Sequence, residues 1–277
     1  MLAISPGWKT DLDILALGGS EIQTFDDHLV VSTPTNPEYH WGNCLLVLDP
    51  TSVDMSEKWV ERYRSVFPSN DWIAIGLPQM PANVAAWEEQ GITLEQLDVL
   101  STNSLPKSQP LPVGYTSRHF DEQDWETLTQ RQISSLLAEG GYEPAATEEF
   151  AIKTNVSRKG LCYSGDAAWF GAYLGDELVA SLGIVRSGTT ARYQSVETSE
   201  AHRRKGLASH LLGLAASWSQ EQGCESWVIV TEERNSAGRI YRRAGFTPDI
   251  SAVNAYKKMA KRDGVERIFW LTETGIY

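Results

Sequence analysis

The spacing of apolar residues changes along the chain, and each change marks an element. From Asp121 to Leu137 the residues Trp125, Leu128, Ile133, Leu136 and Leu137 recur at helical spacing, which predicts a helix. A second helix is predicted over Thr147 to Lys159. Strands are predicted at Ala168 to Leu174, Leu178 to Val185 and Ala191 to Thr198, separated by Gly175-Asp176-Glu177 and Ser187-Gly188-Thr189, which have hairpin turn chemistry. A helix from Gly206 to Gln222 follows, with Leu207, Leu211, Leu214, Ala215 and Trp218 as its buried stripe and Gly223 at its end. Trp227 to Val230 is a short apolar strand, Asn235 to Ala244 a helix closed by Gly245, and Val253 to Met259 a last strand. The order ααβββ-αβαβ is a mixed α/β layer.

Upstream, Asn43 to Asp49 reads as a strand and Met55 to Phe67 as a helix. Ala86-Trp87-Glu88-Glu89-Gln90-Gly91-Ile92-Thr93 parallels Ile240-Tyr241-Arg242-Arg243-Ala244-Gly245-Phe246-Thr247 at an offset of 154. Trp72 to Ile75 parallels Trp227 to Val230 at an offset of 155, so the first half reads as a β-α-β-α-β repeat of the second. The proline-rich stretch Ser101 to Pro112 reads as an extended linker. The expected organisation is a domain over 1–105, a linker over 106–112, a domain over 113–260 and a tail over 261–277. The tail's Ile268, Phe269, Trp270 and Leu271 are expected to dock back.

Charge changes this picture. Among 277 residues, 36 are acidic and 24 basic, a net charge of −12, which excludes a protein that coats nucleic acid. The excess is uneven: residues 1–110 carry 5 Lys and Arg against 15 Asp and Glu, and the remainder 19 against 21. An acidic first domain fits a cationic amine as ligand. Cys44, Cys162 and Cys224 show no metal or disulfide spacing, which suits free thiols in the cytoplasm, and no metal site is expected. Met1 to Pro6 has no signal-peptide pattern, and no apolar run reaches the roughly 20 residues that span a bilayer, so no membrane partner is expected.

The stretch Val196-Glu197-Thr198-Ser199-Glu200-Ala201-His202-Arg203-Arg204-Lys205-Gly206-Leu207-Ala208 carries candidate chemistry. A strand runs into a helix whose first turn holds small residues and follows three cations. Free N–H groups, the helix dipole and Arg203, Arg204 and Lys205 together suit a diphosphate. Equally, this pattern fits an ordinary helix start with solvated basic residues.

Arg203-x-x-Gly206-x-Ala208, placed between a strand and an amphipathic helix, resembles the acetyl-CoA signature of the GNAT superfamily of N-acetyltransferases. The run Asn235-Ser236-Ala237-Gly238-Arg239-Ile240-Tyr241, followed by Gly245-Phe246, is similar to that family's second motif, and the resemblance covers residues 112 to 260. It implies a mixed, mostly antiparallel GNAT-type sheet with helices on both faces, preceded by a smaller, degenerate GNAT-like domain. By the same resemblance, Arg203, Arg204, Lys205, Gly206, Leu207 and Ala208 would hold the pyrophosphate of acetyl-CoA. Val196 and Thr198 would offer main-chain groups to the pantetheine arm, Asn235 would touch the cofactor, and Tyr241 would protonate the departing thiolate. The acceptor, a primary amine of a small molecule or peptide, would attack the thioester directly in a ternary complex.

A general base must free the amine of its proton. Glu197, mid-strand between the cofactor-lining residues, is the first choice, with Glu232 and Glu233 as alternatives. Many family members carry glycine where Arg204 stands, and binding is expected to survive because the main-chain N–H suffices. In the first half Pro50-Thr51-Ser52-Val53-Asp54 replaces the phosphate loop and Trp87 the tyrosine, so that domain is expected to be structural or to shape the acceptor pocket. Asn36 to Asn43 resembles a Trp-Gly-Asn segment of some two-domain members and is a candidate acceptor lining; its His40 is expected to be a core or surface histidine. The alternative to an enzyme is a CoA-binding sensor or scaffold, and a homodimer stays open.

Overall fold

The computed structural model describes residues 4–139, 144–232 and 237–257. The first half runs α1 (Pro6–Leu17), β1 (Glu21–Thr24), β2 (His28–Ser32), β3 (Cys44–Val47), α2 (Ser56–Val66), β4 (Ile73–Leu77), α3 (Val84–Glu88) and β5 (Thr93–Thr102). The second half runs β6 (Tyr115–His119), α4 (Glu122–Glu139), α5 (Pro144–Ser164), β7 (Ala167–Leu174), β8 (Glu177–Ser187) and β9 (Thr190–Thr198). It continues with α6 (Leu207–Glu221), β10 (Ser226–Glu232), α7 (Gly238–Ala244), β11 (Thr247–Pro248) and β12 (Ala252–Lys257).

Every element predicted from periodicity has a counterpart here, although residues 233–236 and 258–277, including the tail, lie outside the described residues. Periodicity missed α1, β1, β2, β6 and β11, while β5 is the last strand of the β-α-β-α-β reading. The start of α1 was legible: Ser5 accepts a hydrogen bond from Trp8 N at 3.2 Å and Pro6 opens the helix. The α6 stripe is wider than predicted, because Leu212, Ala216 and Ser219 are also buried while Leu214 and Trp218 are only partly covered.

The chain forms two compact units that are not contiguous in sequence. One comprises residues 4–97, 133–139, 144–153 and 250–257 of those described; the other comprises 98–132, 154–232 and 237–249. In the first, β1, β2, β3, β4, β12 and the start of β5 lie side by side. All neighbours are antiparallel except β3 and β4, which run parallel with Leu45 opposite Ile75. Trp59 and Trp87 are fully buried, and their indole N–H groups donate to Ser52 O at 2.8 Å and Val53 O at 3.0 Å. Asp49 Oδ1 accepts from Thr51 N at 2.9 Å and Thr51 Oγ1 at 2.7 Å, which holds its carboxyl below the usual carboxylate range. The turn before α2 thus has Ser52 O and Val53 O held by indoles and Thr51 N held by a carboxylate.

The Asn36–Asn43 loop binds itself. Asn43 Nδ2 donates to Asn36 O, Pro37 O and Tyr39 O at 3.0, 3.2 and 2.8 Å, and Asn43 Oδ1 accepts from Thr33 N at 2.9 Å. His40 stacks on Trp72 at 4.0 Å, and burial pushes its pKa down to about 3. These residues fasten a loop, as the core reading of His40 anticipates.

In the second unit the order is β5, β10, β9, β8, β7, β6, with β11 beside β5. The β9–β10 pair is parallel; β6–β7, β7–β8, β8–β9 and β11–β5 are antiparallel. Leu207, Leu211, Leu212, Ala215 and Ala216 of α6 and Tyr241 and Ala244 of α7 pack with Phe170, Leu182, Tyr193 and Trp227 of the strands into one core. On the other face Trp125 of α4 meets Trp169 of β7 at 5.4 Å, and Arg158 of α5 lies over the Trp169 ring at 5.6 Å. Ser101 and Thr102, predicted as linker, complete β5, and the rest of that stretch is tied down. Lys107 N donates to Ala244 O at 2.8 Å, and Ser108 sits so close to Gly213 that a Cβ there would come within 2.2 Å of the serine Cβ.

Candidate active site

Two parallel strands separate to make the opening. β9 and β10 pair at Ser226–Thr190, Trp227–Ala191 and Val228–Arg192, and no pairing is recorded beyond, although β9 runs to Thr198 and β10 to Glu232. A bulge accompanies the separation: Ser195 and Val196 of β9 face the single residue Leu182 of β8, and Ser195 has φ +48°. Ser199 N donates to Val179 O at 2.9 Å, so Ser199 and Glu197 turn their main-chain groups toward β8. Alternation then directs those of Val196 and Thr198 to the opposite edge, on the β10 side. Arg203 Nε already uses that edge, donating to Thr198 O at 3.2 Å.

The chain passes from β9 through a short turn at Glu200–His202 to α6. Arg204 has φ +62° and Gly206, the residue before α6, φ +85°. Left-handed residues in a turn bring main-chain N–H groups to one concave side, which suits an anion. No side chain caps the first turn of α6, so its N–H groups and the positive end of its dipole are open to a ligand. Leu207 is buried and anchors the helix; Ala208 is partly covered. Lys205 Nζ donates to Tyr115 Oη at 3.0 Å, whereas exposed Arg204 makes no ion pair among the described residues. The left-handed φ also explains why glycine suits position 204, since a Cβ is disfavoured there.

Glu197 is half-buried, and burial pushes its carboxyl from 4.5 up to about 7 against the pull of the Arg158 and Arg131 guanidiniums. Near neutral pH such a group exists in both forms, the condition for moving a proton. Tyr241 lies in α7, 2% exposed, with Phe246 edge-on at 6.5 Å. Asn235 and Glu233 lie outside the described residues, and Glu232 ends β10.

Residues 123–246 match the acetyltransferase (GNAT) family. This stretch is a GNAT domain. Solved structures share the fold over nearly the whole chain. A GCN5-related N-acetyltransferase from Kribbella flavida is 16% identical, with a TM-score of 0.63, covering 92% of this chain and 96% of its own. Another from Sphaerobacter thermophilus is 17% identical, with a TM-score of 0.55, covering 91% and 84%. A tandem GNAT protein from the clavulanic acid biosynthesis pathway is 14% identical, with a TM-score of 0.54, covering 90% and 89%. No curated protein matches the sequence significantly.

Within the GNAT domain, sequence reasoning missed the polar residues that meet Glu197 on the α4 and α5 side. Arg158 Nη2 donates to Ser195 Oγ at 2.8 Å and Arg158 Nη1 to Asn155 Oδ1 at 3.1 Å. Arg131 donates to Leu178 O. One signal was available: Arg192 and Gln194 alternate with the apolar Ala191 and Tyr193 along β9, and both are buried. Among the described residues no group of His, Cys, Asp and Glu could hold a metal, and no helix is long and apolar enough to cross a membrane.

Proposed function

We propose that the GNAT domain transfers the acetyl group of acetyl-CoA to a primary amine of a small molecule or peptide by direct attack in a ternary complex. The observation that carries this reading is the parallel β9–β10 pair parting beside a bulge and leading into an uncapped helix start. Val196 and Thr198 supply main-chain groups for an extended pantetheine, and Arg203 to Ala208 surround the start of α6 with donors and cations for the diphosphate. Glu197 takes the proton from the acceptor ammonium, directly or through a water. The freed amine attacks the thioester carbonyl, the carbon–sulfur bond breaks, Tyr241 supplies the proton for the thiolate, and the second proton of the attacking nitrogen leaves as the amide forms and restores the Tyr241 hydroxyl through solvent. Asn235 is assigned to cofactor contact on the family motif. Cys44, Cys162 and Cys224 are free thiols, which fits a reducing cytoplasmic setting.

The first half is the second copy of the same design. β3, α2, β4 and α3 repeat the order of β9, α6, β10 and α7, again with a parallel strand pair. Its turn before α2 has no glycine, its Thr51 N–H is taken by the Asp49 carboxylate, and Asp49 and Asp54 add negative charge there, so it is assigned no diphosphate. Titration of the whole chain with acetyl-CoA is expected to give one site per chain; two equivalent sites would refute the assignment of the first half as structural.

Release of free CoA across a panel of amines tests the activity, and acetyl-CoA binding without turnover on any amine would favour a sensor or scaffold. Tyr241→Phe is expected to slow kcat about tenfold to a hundredfold with nearly unchanged acetyl-CoA affinity. An unchanged kcat would remove Tyr241 from the chemistry.

A further inference from the structure

Glu197 lies beside a buried polar cluster whose Arg158, with Arg131, acts on its carboxyl electrostatically. Asn155 Nδ2 donates to Thr129 Oγ1 and to Gln132 Oε1, both at 3.0 Å, while Asn155 Oδ1 accepts from Arg158. Arg158 in turn holds Ser195 at the bulge. This chain of hydrogen bonds joins α4, α5 and β9. Gln132, Asn155, Arg158, Gln194 and Ser195 are all buried. Yet Gln132 Nε2, Arg158 Nε and both amide atoms of Gln194 have no hydrogen-bond partner among the described residues. Buried polar groups in folded proteins are almost always paired, so a surplus of buried donors beside a reactive carboxyl marks a place for acceptor atoms of a ligand.

The charge points the same way. Arg131 and Arg158 both act on Glu197, so the cluster keeps a net positive charge even when Glu197 is ionised. A polycationic amine meets repulsion there. A zwitterion is matched at both ends: its ammonium by Glu197, its carboxylate by the guanidinium and the unpaired amide donors.

We propose that this cluster binds a carboxylate of the acceptor, so that the acceptor is an amine of the amino-acid class. The inference rests on the acetyl-transfer reading of Glu197. Arg158, Gln132 and Gln194 are its specificity-determining residues.

The test compares matched acceptors on the full chain at saturating acetyl-CoA, with CoA release as readout: a free amino acid, its carboxamide, and the amine lacking the carboxyl carbon. The free acid is expected to have a kcat/KM at least about a hundredfold higher than either analogue, because a site built to pair a polar group rejects ligands that lack it. Arg158→Gln and Gln194→Leu should each cut that preference about tenfold or more, mainly through KM. The second variant is included because Arg158 also supports the bulge, whereas the Gln194 amide has no partner to lose among the described residues. Equal turnover of acid and analogues by the unaltered protein overturns the inference and leaves acetyl transfer standing. A preference unmoved in both variants overturns the assignment to this cluster. Acetyl-CoA binding with no CoA release from any amine overturns the acetyl-transfer reading, and the inference falls with it.

Discussion

Glu197→Gln is expected to lower kcat about a hundredfold to ten-thousandfold while acetyl-CoA still binds, the range expected for removal of a general base. The pH profile carries the sharper signature. The Glu197 carboxyl is pushed up from 4.5 to about 7, and it acts as a base only when ionised. The kcat/KM of the parent should therefore rise with pH through about 7, and the variant should lack that limb. Stability should move in the opposite sense. The folded state holds the Glu197 proton more tightly than the unfolded chain does, so this group's contribution is full below pH 4.5 and is lost as pH rises through about 7. Thermal melts of parent and variant at pH 5 and pH 8 should show the Tm difference shifting in favour of the glutamine variant at the higher pH. A variant with parental kcat and an unaltered profile would transfer the role to another group.

Gly206→Val is expected to weaken acetyl-CoA binding by about a hundredfold or more, measured by calorimetric titration. The cause is conformation rather than crowding. A Cβ at position 206 would meet its nearest neighbour, Gln109 Cβ, at 3.9 Å, an ordinary contact. But φ is +85°, where a Cβ costs about 1–2 kcal/mol and a β-branched residue is more strained still. The turn relaxes by rotating the main-chain N–H groups that point into the start of α6, and those are the groups offered to the diphosphate. The core under α6 is untouched, because Leu207 and Leu211 keep their places, so Tm should fall by only a few degrees. Retained affinity in the valine variant would detach the anion site from this turn.

The sequence by itself determined the order and kind of most elements, because burial of one face imposes a period that the residues must obey. Trp125, Leu128 and Leu136 of α4, the three strands from Ala168 to Thr198, and the α6 stripe were legible for that reason, whereas Leu137 is exposed. So was the α6 turn, since Gly206 takes a left-handed φ that favours glycine. The sequence also aligns Trp87-Glu88-Glu89-Gln90-Gly91 with Tyr241-Arg242-Arg243-Ala244-Gly245, the local match on which the proposed repeat rests. Strands with polar or acidic positions, such as β1 with Glu21 and Gln23, escaped, because pairing rather than periodicity holds them in the sheet.

Only the tertiary structure decided which strands adjoin: β12 lies between β4 and β5 although about 175 and about 150 residues of chain separate it from them, and nothing local in Ala252–Lys257 specifies that partner. The parting of β9 from β10 likewise depends on register and on the bulge at Ser195, which non-local pairing with β8 creates. The surroundings of Glu197 were the least legible of all. Its raised pKa and the unpaired donors of Gln132, Arg158 and Gln194 come from α4, α5 and β9 meeting in space. A carboxyl's proton affinity is set by the charges and the dielectric around it, and the chain brings those together only on folding.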